Sequence, residues 1–180
     1  MVMMSKRQNY RPAGEKFQTK TALHEHVRQM LTLERLCTRF HLVVRQLQSR
    51  YNHRDTLHVE DEYDVQDLLH ALLTLEYEDI RLAEWRPSYA GGSSRQDFLL
   101  KLEQIVIAAK KTRDGLGARE LAEQLRADIQ QYQQHPDCKT LVCFVYDPDR
   151  RIANPRGIEN DLSRDEGVLT VRVIIAPKGL

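Results

Sequence analysis

Along residues 21–50 the apolar positions Leu23, Val27, Met30, Leu31, Leu36, Phe40, Val43, Val44 and Leu47 recur at three- and four-residue spacings. Neither glycine nor proline interrupts them, so the stretch predicts one long helix or two shorter ones. Residues 52–59 read as a connector. A second amphipathic helix is expected over residues 61–77, with Val65, Leu68, Leu69, Leu72 and Leu73 as its buried stripe. Asp61, Glu62 and Asp64 crowd its first turn, where negative charge meets the helix dipole favourably. Residues 85–94 contain Pro87, Gly91 and Gly92 and read as loop or short strand.

The period then shortens. Residues 97–100 and 105–110 are β-like runs joined by a short turn near Leu102 and Glu103, which predicts an antiparallel hairpin. Gly115 and Gly117 precede a third helix, Ala118–Tyr132, with Leu121, Leu125, Ile129 and Tyr132 on one face. His135-Pro136-Asp137 stops it. A strand over residues 139–146 follows, and a strand–helix–strand crossover of this kind favours a parallel pair. Residues 147–160 are rich in turn formers. Residues 168–176 close the chain as a strand, with Leu169, Val171, Val173 and Ile175 alternating against Thr170 and Arg172. No repeat interrupts this order. It predicts a mixed α/β sheet flanked by helices. Residues 1–20 are expected to form a flexible tail, 21–54 an N-terminal helical arm, and 55–180 the main domain.

Composition changes this picture little. A chain of 180 residues suits one domain. Its 27 basic and 26 acidic residues nearly cancel, so a polyanion partner must be met by local charge alone. The first fifty residues segregate it: ten lysines and arginines, from Lys6 to Arg50, face only Glu15, Glu25 and Glu34. That bias fits a polyanion partner and equally a solvated basic helix. Cys37, Cys138 and Cys143 are odd in number and lack C-x-x-C spacing, so neither a disulfide framework nor a zinc site is expected. Cys143 lies in an apolar run and reads as core rather than nucleophile. The N-terminus does not resemble a signal peptide, no stretch reaches the length of a membrane span, and a soluble cytoplasmic protein is expected.

The chemistry-bearing stretch begins at Asp97 and ends at Ile105-Val106-Ile107-Ala108-Ala109-Lys110-Lys111. A carboxylate opens one strand and a lysine closes the next. Side chains two apart on a strand share a face, so Ala108 and Lys110 point the same way. If Lys110 faces Asp97 across the hairpin, so does Ala108. This arrangement resembles the PD-(D/E)XK, or restriction-endonuclease-like, nuclease superfamily over about residues 55–176. That family places an Asp on one strand, an acid-x-Lys on the next, and often a Glu on a preceding helix. Glu62-Tyr63-Asp64-Val65-Gln66, the loop 87–95 and the helix bearing Glu123-Gln124 resemble a bacterial branch found in phage-defence settings. In that branch the strand reads I-V-I-E-x-K-K-T-R. Residues 105–113 match it except at the acid, where Ala108 stands.

The resemblance implies an endonuclease that hydrolyses DNA phosphodiesters, on duplex DNA, with Mg2+ or Mn2+. Asp97, the carbonyl of Ala109 and Glu62 are then the remaining metal ligands, and Lys110 orients and activates the attacking water. Gln124 is placed near phosphate or water. Without a carboxylate at 108 the metal would be weakly held and the chain inactive as written. Glu103 cannot substitute, because its odd offset points it to the other face. Either a family Glu has been replaced to silence a toxic nuclease, or the chain is a pseudonuclease that binds DNA or docks on an effector without cutting. A homodimer, or docking to a larger defence complex through the N-terminal helices, is the expected assembly.

Blander readings stand beside these. Asp64 competes with Glu62, and acids in a first helical turn are commonly caps. Gln124 could be an ordinary exposed glutamine, and Lys110-Lys111 a solvated strand end. The seven histidines form no ligand set. No G-x-x-x-x-G-K-[ST] loop is present, and Ser93 and Ser94 lack the G-x-S-x-G context of a hydrolase nucleophile. A third class of function, a pure interaction protein pairing through its long helix, also remains compatible with the sequence.

Overall fold

The structure, a computed structural model, describes residues 13–83, 97–165 and 167–178, with side chains from residue 23 onward. The glycine-bearing loop expected over 85–94, and the first twelve residues of the expected tail, lie outside the described residues. The first helix, α1 (Ala13–Gln48), is continuous and starts ahead of residue 21. Its polar first turns carry no apolar period and so left no trace in the pattern.

The chain forms two compact units, one through Leu33 and one from Glu34. Among the described residues the first is the N-terminal part of α1. There Arg28 pairs with Glu25 at 2.6 Å, and Leu23, Val27 and Leu31 are exposed at four-residue spacing.

The second unit carries the sheet. Helix α2 (Glu62–Leu73) opens on a capping box: the Asp61 carboxylate accepts the backbone N–H of Tyr63 and Asp64, and the Asp64 carboxylate accepts from Glu60 and Asp61. It stops four residues before the expected end, in a turn where the Tyr77 N–H donates to the Leu73 carbonyl. Among the described residues five strands follow in the order β1 (Ile80–Leu82), β2 (Phe98–Leu100), β3 (Ile105–Lys111), β4 (Thr140–Tyr146) and β5 (Thr170–Ala176). The first three pair antiparallel and the last three parallel. Helix α3 (Ala118–Tyr132) makes the crossover from β3 to β4, as expected. Helix α4 (Pro155–Leu162) makes the one from β4 to β5.

Two elements escaped the sequence pattern. Strand β1 has three residues, too few to show a period. Helix α4 lies where turn formers cluster, yet those residues start a helix: the Asn154 side chain accepts the Gly157 N–H at 3.0 Å, and Pro155 occupies the first turn.

Parallel β3 and β4 are buried along both faces, which explains their unbroken apolar runs. On one face Val106, Ala108, Leu141, Cys143, Val145, Val171, Val173 and Ile175 pack with Leu121, Leu125 and Ile129 of α3 and Leu162 of α4. Phe98 stacks with His70 of α2 on the other face, and Phe40 of α1 meets Phe144 and Tyr146 edge-on. The sheet therefore lies between α3 and α4 on one side and α2 with the C-terminal part of α1 on the other. It is an α/β fold of the restriction-endonuclease-like kind.

Candidate active site

The hairpin register decides which side chains meet. Phe98 pairs with Ile107 and Leu99 with Val106, so Asp97 falls opposite Ala108 one step further. Directly opposed residues of an antiparallel pair share a face. Asp97, Ala108 and, two residues on, Lys110 are thus brought to the face covered by α3. All three are buried, Asp97 at 8% exposure and Lys110 and Ala108 at 2% each. A lysine that deep in a sheet demands a partner.

Helix α3 supplies it. The Lys110 Nζ lies 2.7 Å from Oδ2 of Asp128, itself 8% exposed. One helical turn on, the Tyr132 hydroxyl donates to Oδ2 of Asp97 at 2.5 Å. Asp128 and Tyr132 are four residues apart on one helix face, so a single stripe of α3 reaches both ends of the strand constellation. Burial first, then the charges of Asp97 and Asp128, raise the Tyr132 hydroxyl far above the ordinary tyrosine range, so it acts as a permanent donor to Asp97. Cys143 lies opposite Ala108 on β4. Its thiol is pushed up by burial and then by Asp128 and Asp97, against the opposing influence of Lys110. It is buried and protonated, as a core residue should be.

The sequence pattern marks neither Asp128 nor Tyr132 for chemistry, and it places Tyr132 only on an apolar stripe. The signal available for Asp128 was an acid on that stripe, three residues past Leu125 and four before Tyr132.

Glu62 and Gln124 are placed apart from this group. They line a cavity of about 290 Å³ with Tyr63 and Gln66 of α2 and with Lys111, Thr112 and Arg113 at the C-terminal end of β3. Gln66 is buried, and its side-chain oxygen finds no hydrogen-bond partner. Lys111 alternates to the α2 face, away from Lys110. Gln124 stands one turn before Asp128 on α3, so this helix carries residues of both the cavity and the buried group. Of the two competing acids on α2, Asp64 is engaged in the capping box and Glu62 is the one at the cavity. Ala109 is buried with its side chain toward the α2 face, opposite Phe144.

Among the described residues no group of three or more His, Cys, Asp or Glu gathers as a metal cluster. The donors on the α3 face are the carboxylates of Asp97 and Asp128. Two carboxylates are a set by which magnesium is commonly held, water and phosphate oxygens completing its shell. The donor chemistry fits a hard divalent cation, with one strand position, 108, contributing nothing.

Among the described residues no helix is long and apolar enough to cross a membrane. A family model described as REase_DpnII-MboI matches residues 31–178. No curated protein and no solved structure matches the chain.

Proposed function

Because the chain belongs to the DpnII-MboI restriction endonuclease family, a family that binds and cleaves DNA, we propose that its own site is the Asp97–Ala108–Lys110 constellation on the α3 face. On this reading the protein is a Mg2+- or Mn2+-dependent endodeoxyribonuclease acting on duplex DNA in restriction-type, anti-phage defence within the cytoplasm. The observation that carries it is the register: Asp97 opposite Ala108, with Lys110 two residues on and buried on the same face.

Asp97 and the carbonyl of Ala109 would hold the cation, with Glu62 approaching from the α2 side and Gln124 contacting phosphate or water. The cation would polarise the phosphodiester and lower the pKa of the attacking water. Lys110 supplies positive charge where the phosphoryl oxygens gain negative charge, and it is preorganised for this by burial and by its pairing. Ala108 leaves the strand one ligand short, so the chain is inactive as written, or far slower than it would be with an acid there. The experiment is Ala108→Glu assayed on plasmid and linear DNA with and without chelator. Mn2+-dependent nicking is the expected result. If Ala108→Glu binds no more metal and nicks nothing, the second reading takes over: a pseudonuclease that docks on DNA or on an effector.

For assembly we propose pairing of two copies through α1. Leu23, Val27 and Leu31 repeat on one exposed stripe, and a stripe of that kind is usually covered. Light scattering should give twice the chain mass. A monomer at micromolar concentration would contradict the pairing.

A further inference from the structure

We propose that Asp128 supplies the second carboxylate of the cation site in this chain, standing with Asp97 in place of the acid that β3 lacks, and that Lys110 competes with the cation for it. This rests on the nuclease reading of the α3 face.

Ala108 has the smallest side chain of the strand residues on the α3 face, and the groups around it come from three elements. Asp97 lies opposite it at the start of β2, Lys110 two residues on along β3, and Asp128 above on α3. Lys110 joins Asp128 at 2.7 Å, and Tyr132, one turn on from Asp128, donates to Asp97 at 2.5 Å, so one face of α3 is tied to both Lys110 and Asp97 on either side of Ala108. Two negative groups and one positive group there leave a net charge of −1, attractive to a divalent cation in a site of reduced dielectric. An alanine at 108 also removes the bulk that would hold a helix carboxylate back from the strand.

The pairing has a cost for catalysis. The oxygen that touches Lys110 at 2.7 Å is one the cation would need. With Ala at 108, a cation taking Asp128 strips Lys110 of its buried partner and displaces it. With Glu at 108, the cation has a strand ligand and Asp128 stays on Lys110. One residue would then serve two roles, according to what stands at position 108. On this assignment the chain would bind metal without cutting.

Mn2+ titration of the full chain, followed by calorimetry or by the free-ion paramagnetic signal, separates the possibilities. Lys110→Met keeps the aliphatic length and removes the competitor, so it should bind Mn2+ about tenfold tighter than the unaltered chain. Lys110→Met with Asp128→Asn removes both members of the ion pair together, so neither is left as a buried charge without its partner. It should bind at least about tenfold more weakly than Lys110→Met alone. Asp128→Asn by itself, which keeps shape and an acceptor for Lys110, should weaken binding in the same direction. If the double variant binds as tightly as Lys110→Met while Asp97→Asn loses the ion, Asp128 is no ligand and the nuclease reading survives without it. If Asp97→Asn also binds unchanged, both the Asp128 assignment and the proposed site fail.

Discussion

An acid introduced at position 108 enters a buried space that already holds Asp97 and Asp128 against one lysine. Three carboxylates about one ammonium should repel until a cation joins them. Ala108→Glu is therefore expected to melt below the unaltered chain in chelator and to regain stability with Mn2+, by about 2.7 kcal/mol once the ion exceeds its dissociation constant a hundredfold. Thermal unfolding with and without Mn2+ measures this, and a Mn2+-independent melting point would speak against a metal site at 108. Tyr132→Phe deletes the hydroxyl that serves Asp97 and leaves a buried carboxylate short of a donor, which should cost about 1–3 kcal/mol in urea denaturation. His41 sets a pH dependence. Burial, then the nearby positive charges of Arg45 and Arg150, lower its pKa below the ordinary value near 6.5. The folded protein thus holds that proton less well than the unfolded chain. This stability is full above about pH 6.5 and falls away as the pH drops below it. NMR titration should find His41 neutral at a pH where an exposed histidine is already half charged. Asp97 and Lys110 were legible in the sequence because ten residues separate Asp97 from Ala108 and strand parity ties Ala108 to Lys110. Asp128 was hidden because helical periodicity counts apolar residues and passes over an acid among them.

The helices that frame the site owe their placement to local signals of unequal visibility. Asp61 was crowded among acids in the pattern, and its work as a cap appears only when its carboxylate is seen on the N–H groups of Tyr63 and Asp64 at 2.8 and 3.0 Å. Asp61→Ala should cost about 1 kcal/mol of stability, and Asp61→Asn distinctly less, with α2 fraying first in hydrogen exchange. Equal losses would argue that the cap is incidental. The long unbroken apolar runs of β3 and β4, and the periodic apolar stripe of α3, announced themselves through their length. By contrast, α4 was masked by its own start signal: Asn154-Pro155 and Gly157 are turn formers in isolation and cap formers when a helix follows. Its buried Glu159 shows why a helix pays there, since the carboxylate accepts the Ile175 N–H at 2.7 Å and clamps α4 to β5.

At the scale of the molecule, a mixed sheet with α2 on one side and α3 on the other brings the end of β3 between helices of both layers. That is how residues far apart in sequence, from Asp97 to Tyr132, come to share one face. Order and type of elements were enough to anticipate this architecture. Which of the neighbouring lysines faced which helix required the register. The two lysines give the central claim its most direct measurement. In the Ala108→Glu background, single-turnover cleavage of duplex DNA with Mn2+ is compared for Lys110→Ala and Lys111→Ala. Lys110→Ala should lose about 10²- to 10³-fold in rate, the scale for removing a preorganised charge from reacting oxygens, and Lys111→Ala no more than about tenfold. The opposite order, with Lys111 indispensable and Lys110 dispensable, would place the chemistry on the α2 face and contradict the site described.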